Sequence, residues 1–200
     1  MIDTLIFDFG DVFINLDKQA TPLAFKKLGL ENWSPQIDIL NFNFEKGLIS
    51  RADFLAGLNQ LVPNASPEEV LNAWNEVLLD FPLSRLEFLE LIANNYQVFL
   101  LSNTDSIHIN HFKEKNGDAF YNRFYNCFSK VYFSYDLGRR KPDVEIYNYV
   151  INENNLIPEN TLFIDDNFDN IEGAKKAGLQ VWHLQKGKEE VTEIFDKGIL

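Results

Sequence analysis

The chain begins with an apolar run, Leu5-Ile6-Phe7, that stops abruptly at Asp8-Phe9-Gly10-Asp11. A run this dense, without polar alternation, suits a strand buried on both faces of a parallel sheet. An acid at the carboxyl end of such a strand lies where open α/β sheets bind ligands. Gly10 permits a sharp turn and a close backbone approach to whatever binds there. A carboxylate so placed can serve as a nucleophile, a base or a metal ligand. It can equally cap a helix or close a turn.

Four further apolar runs, Val98–Leu101, Val131–Phe133, Thr161–Ile164 and Val181–Leu184, are separated by helical-looking stretches. That alternation is the pattern of βαβ units. The interval from Leu16 to Asn95 has no convincing strand. It has helix starts at Thr21-Pro22, Ser34-Pro35, Ser50-Arg51-Ala52-Asp53 and Ser66-Pro67-Glu68-Glu69, where proline fits the first turn and Ser-x-x-acid forms a capping box. Gly29 suits a helix stop, and Val70, Trp74, Val77 and Leu78 are spaced as one helical face. The expectation is an α/β core of residues 1–15 and 96–200, with a helical subdomain over 16–95 inserted after the first strand. Such an insertion lies over the carboxyl edge of the sheet, as a candidate lid. Its aromatic residues Phe42, Phe44 and Trp74 are assigned to its own core. A last helix is expected after Gly187, against the sheet.

Composition narrows the partners. With 200 residues, 46% of them hydrophobic, the chain can bury a sizeable core. A formal charge of -12 argues against nucleic acid and anionic membranes, which both call for Lys and Arg. The single cysteine, Cys127, cannot form an internal disulfide, which fits a reducing, cytoplasmic compartment. The N-terminal stretch lacks a basic region and is interrupted by Asp3 and Asp8, unlike a signal peptide. No segment approaches the ~20 apolar residues of a transmembrane helix.

The chemistry gathers at the ends of the runs. Ser102-Asn103-Thr104 ends the second run and precedes a helix, which suits an anion cradle or an ordinary N-cap. Gly138-Arg139-Arg140-Lys141-Pro142-Asp143 places Lys141 at the mouth of a helix expected to start at Pro142. There the dipole opposes a cation unless an anion lies nearby. Asp165-Asp166-Asn167 ends the fourth run, followed by Asp169 and Asn170. Adjacent carboxylates at a buried strand end repel, and a divalent cation relieves that repulsion. Oxygen-only ligands suit Mg2+. Carboxylates, a lysine and a phosphate-binding hydroxyl, each after its strand, are the parts of a phosphoryl-transfer site.

The segments Leu5–Val12, Leu100–Thr104, Asp136–Asp143 and Phe163–Leu179, in this order and spacing, resemble the four motifs of the haloacid dehalogenase superfamily. The resemblance is to members with a helical cap between the first and second motifs. Among these it is nearest to bacterial α-D-glucose-1-phosphate phosphatase-like enzymes and the phosphatase domain of soluble epoxide hydrolases. It implies a three-layer α/β/α sandwich with an inserted cap and a Mg2+-dependent phosphatase acting on a small phosphorylated metabolite, such as a sugar phosphate. By position, Asp8 is then the nucleophile that forms an aspartyl-phosphate. Asp8, the Gly10 carbonyl and Asp166 hold the metal, while Asp165 and Asn170 act through water or hold the loop. Ser102 and the Asn103 amide grip the phosphoryl oxygens, and Lys141 neutralises charge.

One departure stands out. The second aspartate of such phosphatases, two residues after the nucleophile, is here Gly10, with Asp11 one residue further on. Three explanations compete: Asp11 is redirected to serve as the acid/base, the leaving group needs little protonation, or catalysis is weak. Two other readings stay open. A 2-haloacid dehalogenase uses the same nucleophile and lacks that second acid, but has no use for paired acids at Asp165-Asp166. A non-catalytic phospholigand-binding module has no need of a nucleophile. His108, His111 and His183 fall in no motif, and Glu45–Ser50 resembles a cap turn that faces the active site.

Overall fold

The five apolar runs become β1 (Thr4–Phe7), β2 (Gln97–Ser102), β3 (Lys130–Phe133), β4 (Thr161–Asp165) and β5 (Gln180–His183). In the computed structural model, which describes residues 1–200, they form one parallel sheet in the order β3-β2-β1-β4-β5. Alternate side chains explain the density of each run. Leu5 and Phe7 enter one apolar cluster and Ile6 enters another on the opposite face. The same division separates Val98 and Leu100 from Phe99 and Leu101, so both faces must be covered by helices.

Between β1 and β2 lie α1 (Ala20–Lys27), α2 (Pro35–Glu45), α3 (Arg51–Leu61), α4 (Pro67–Asn75) and α5 (Leu83–Ile92). Three of the expected starts are well made. Pro35 opens α2, the Ser50 hydroxyl accepts the Asp53 N–H at 3.1 Å, and Ser66 with Glu69 forms a complete capping box. At the fourth, α1 opens at Ala20 and Thr21-Pro22 falls inside its first turn. Gly29, at φ 99°, ends α1.

Helices α1 to α4 share a separate apolar cluster. It is built on Phe25, Phe44, Phe54 and Trp74, with Phe44 and Phe54 stacked at 4.3 Å. Helix α5 does not belong to it. Its Leu86, Phe88, Leu89 and Ile92 enter the sheet cluster. Val77 and Leu78 also fall beyond the end of α4, and Leu78 turns toward the sheet. Both clusters draw on helices of one strand-free interval, so the absence of strands alone cannot separate them. Phe42, assigned to the helical core, is instead 40% exposed.

After β2 come α6 (Ser106–Tyr125), interrupted at Gly117, then α7 (Ser134–Leu137), α8 (Val144–Asn154) and α9 (Phe168–Lys176). Helices α5 and α6 cover one face of the sheet, and α8 and α9 the other, giving a Rossmann-like α/β/α sandwich. Beyond Gly187 there is only a 3-10 turn at Val191–Glu193. It seats Val191 and Ile194 on the sheet cluster, and one turn suffices to bury two apolar residues at that spacing. No helix is long and apolar enough to cross a membrane.

Helix α9 approaches the Lys141 loop with no room to spare. A Cβ added at Gly173 would overlap the Pro142 carbonyl oxygen and lie 3.0 Å from the Tyr147 ring. Overpacking of this kind costs about 1–3 kcal/mol. Gly173→Ala should therefore lower the melting temperature by roughly 2–10 °C, read by thermal unfolding.

Candidate active site

Parallel register carries the polar residues to one edge. Phe7 pairs with Leu100 on one side and Ile164 on the other, so Asp8, Leu101-Ser102 and Asp165 end their strands side by side. The Asp8 N–H donates to the Ile164 carbonyl at 2.9 Å, which fixes its backbone. Lys141 arrives from the turn after α7. Its N–H donates to Asn103 Oδ1 at 2.9 Å, and Asn103 Nδ2 donates to its carbonyl at 2.8 Å. The Asn103 side chain thus fastens the lysine loop to the end of β2, leaving its backbone N–H as the group that can face a ligand. The helix after this loop starts at Val144, not Pro142. The Asp143 N–H donates to the Arg140 carbonyl at 3.1 Å and closes a turn first.

Lys141 is 1% exposed, and its Nζ stands 2.7 Å from both Asp8 Oδ1 and Asp165 Oδ2. Oxygens of Asp8, Asp165 and Asp166 all lie within 4.8 Å of one another. These carboxylates differ in what remains open on them. Asp165 is saturated: besides Lys141, it accepts the Asn167 N–H at 2.7 Å and Asn170 Nδ2 on both oxygens. Asp8 and Asp166 carry no such network, and Asp166 pairs only with Lys18, at 3.2 Å. The Asp166 carbonyl is bonded by His183 Nε2 at 2.9 Å, which gives that histidine a place in holding the loop.

Burial pushes the Asp8 carboxyl up to about 7. Asp165 and Asp166 add to the rise, and Lys141 opposes it. Burial also raises Asp166, against the pull of Lys18. Burial works to lower the Lys141 ammonium, but Asp165 and Asp8 together hold it above its usual range. Lys141 serves two of the three acids and Asp166 has only the exposed Lys18, which leaves the cluster short of positive charge.

A Cβ at Gly10 would come within 2.7 Å of Leu16 Cδ1, so a second acid there would require the Leu16 side chain to shift. Asp11 adopts φ 55° and is buried. Its Oδ1 accepts the Leu16 N–H at 3.0 Å and pairs with Lys186 at 2.8 Å. It closes its own loop and lines neither cavity at the site. Its nearest link to the site is Lys18, 3.5 Å from Asp11 and 3.2 Å from Asp166.

Two cavities of about 410 Å³ each meet here. The cleft holds Asp8, Lys141, Asp166 and Arg140, and the chamber lies under the helical layer. Gly10, Leu16, Lys18, Glu45 and Asn103 border both. Ser102 lines the chamber, whose walls include Trp33, Trp74, Thr21 and His108. His108 stacks on Trp74 at 5.4 Å, and Asp105 binds both, at 3.1 Å each. Glu45 belongs to the Glu45–Ser50 turn already marked in the sequence, whereas Lys18 and His108 acquire these places only through tertiary contacts that no local pattern marks.

Known proteins resemble the chain along its length. A family described as haloacid dehalogenase-like hydrolase matches residues 2–178. A D-ribitol-5-phosphate phosphatase from Bacteroides thetaiotaomicron is 29% identical over 205 residues, covering 98% of this chain and 100% of that protein. A haloacid dehalogenase family enzyme from the same organism, solved with magnesium and inorganic phosphate, superposes with a TM-score of 0.84 at 32% identity. That match covers 94% of this chain and 97% of the other. A HAD-like family hydrolase from Porphyromonas gingivalis has a TM-score of 0.88 at 25% identity, over 100% and 99% of the two chains.

Holding Asp8 ionised in this buried cluster works against the fold. Its folded value, about 7, lies above the usual 3.8, so the penalty grows as pH rises from about 4 to 7 and is complete above that. Asp8→Asn, measured in EDTA, should stabilise the protein by about 1 kcal/mol or more at pH 8. The gain should vanish near pH 4, as followed by urea unfolding at both pH values.

Proposed function

The chain belongs to the haloacid dehalogenase-like hydrolases, and from that premise we propose that it is a Mg2+-dependent phosphatase of small phosphorylated metabolites, acting through an aspartyl-phosphate on Asp8. The observation that carries this reading is Lys141 Nζ, 2.7 Å from both Asp8 and Asp165, beside a third carboxylate. Attack at carbon with release of halide has no use for that acid cluster.

The donor set fits the ion. Oxygens within 4.8 Å of one another, with a deficit of positive charge, suit a hard divalent cation. Asp8, the Gly10 carbonyl and Asp166 would hold it. Asp165, already saturated, would hold Lys141 and the loop instead. When bound, Mg2+ supplies Lewis-acid neutralisation of the phosphoryl oxygens.

The protein's own groups do the rest. One Asp8 oxygen attacks phosphorus, the bond to the leaving oxygen breaks, and its electron pair departs on the alkoxide, which takes a proton from solvent. Water then attacks phosphorus, releasing inorganic phosphate and restoring Asp8. Ser102 and the Asn103 N–H receive the phosphoryl oxygens, and Lys141 offsets charge on the acceptor and transferring group. With Gly10 in place of an acid and Asp11 held in its own loop, the leaving group departs without a carboxylic acid at that position. A sugar or sugar-alcohol phosphate is the substrate class favoured by the similarity to a D-ribitol-5-phosphate phosphatase. The leaving group lies in the chamber under α1 to α4, which act as the cap.

The wild type should release phosphate from p-nitrophenyl phosphate and from sugar phosphates with Mg2+, and stop in EDTA. Asp8→Asn should lower the rate by at least ~1000-fold, whereas Asp11→Asn should stay within about threefold because it lacks a proton-transfer role. Metal-independent halide release from 2-chloropropionate would overturn the assignment.

A further inference from the structure

The C-terminal end of α2 touches the core at one place beside the lysine loop. Arg140 Nη2 lies 2.8 Å from Glu45 Oε2, with side-chain exposures of 27% and 15%. The same guanidinium sits 5.1 Å from the Phe42 ring centroid. Phe42 and Glu45 are one helical turn apart, so a single planar cation takes the ring and the carboxylate together. Phe42 is an exposed aromatic outside the helical core, and the Lys46 ammonium also lies 5.4 Å from its ring centroid.

A second, independent contact lies two residues on. Gly47, at φ 64°, meets α7 so closely that an added Cβ would overlap the Tyr135 carbonyl oxygen. The end of α2 and its following turn therefore rest on the segment from Tyr135 to Arg140. Lys141, the next residue, carries the ammonium between Asp8 and Asp165. Glu45 also borders both the cleft and the chamber.

Resting on the phosphatase reading above, we propose that Arg140 is a positioning residue that seats α2 over the site through Glu45 and Phe42, with Gly47 allowing the close approach. Seating encloses the chamber and holds the Lys141 loop in register with the phosphoryl group. Arg140 acts through Glu45, not by touching the substrate. Lysine is a poor substitute, because its ammonium is a single point charge where the guanidinium meets ring and carboxylate with different atoms.

A double-mutant cycle tests this. Arg140→Gln and Glu45→Gln should each lower kcat/KM about tenfold, and the double variant should lose no more than either single one. If Arg140 bound the phosphoryl group directly, the losses would multiply, and that outcome overturns the proposal. The second readout is acrylamide quenching of tryptophan fluorescence, since Trp33 and Trp74 line the chamber. Mg2+ with inorganic phosphate should protect the wild type, and protection should be lost in Arg140→Gln and in Gly47→Ala. Protection retained in both variants sinks the docking role alone. Protection in a wild type that releases no phosphate sinks the phosphatase reading alone.

Discussion

A buried ammonium between two buried carboxylates holds this site together. Taking Asp8 and Asp165 out of water is expensive, and the Lys141 Nζ at 2.7 Å from each is what offsets it. The arrangement then dictates its surroundings. Asn103 must tie the lysine loop to the end of β2, and Gly173 must lack a side chain so that α9 can press on Pro142. Asn170 and the Asn167 N–H must satisfy Asp165, because a buried acceptor left open costs about 1–3 kcal/mol. What the lysine does not offset is the third acid. Asp166 is left to Lys18, whose side chain is 60% exposed and so weakly held. The unneutralised charge at the open side is the physical reason for reading a cation site there.

The residue after next from Asp8 changes the chemistry without changing the frame. Leu16 occupies the volume beside Gly10, and Asp11 turns back into its own loop to meet the Leu16 N–H and Lys186. On the phosphatase reading, the nucleophile and its electrostatic support are complete while the proton donor is missing from that position. The rate is then governed by the leaving oxygen's own basicity and by how well the chamber excludes water.

The frame was legible because it is local. Runs such as Val98-Phe99-Leu100-Leu101 are apolar at every position, which only a strand buried on both faces requires. Acids that end two of those runs could lie only at one edge of a parallel sheet. What stayed hidden depends on partners far apart in the chain. Arg140 and Glu45 are 95 positions apart in the chain, and Lys18 and Asp166 are 148 apart. The direction of Asp11 followed from a left-handed backbone that no neighbour announces. Helix α5 is grouped with the insertion because it lies in the same strand-free interval as α1 to α4. Only the sheet cluster it joins shows otherwise.

The helical layer is joined to the sandwich unequally on its two sides. At α4 and α6, Asp105 is 1% exposed, caps α6, accepts Trp74 Nε1 and pairs with His108, while Ile107 enters the layer's own apolar cluster. Breaking that side strands a buried carboxylate, a loss of about 3–5 kcal/mol. At α2, the Glu45–Arg140 pair is partly exposed, and its separation lets both groups return to water. The weaker seam is therefore the one beside Lys141. The chamber and the cleft that holds Asp8 and Lys141 share Glu45 as a border, so this weaker seam lies where the two cavities meet.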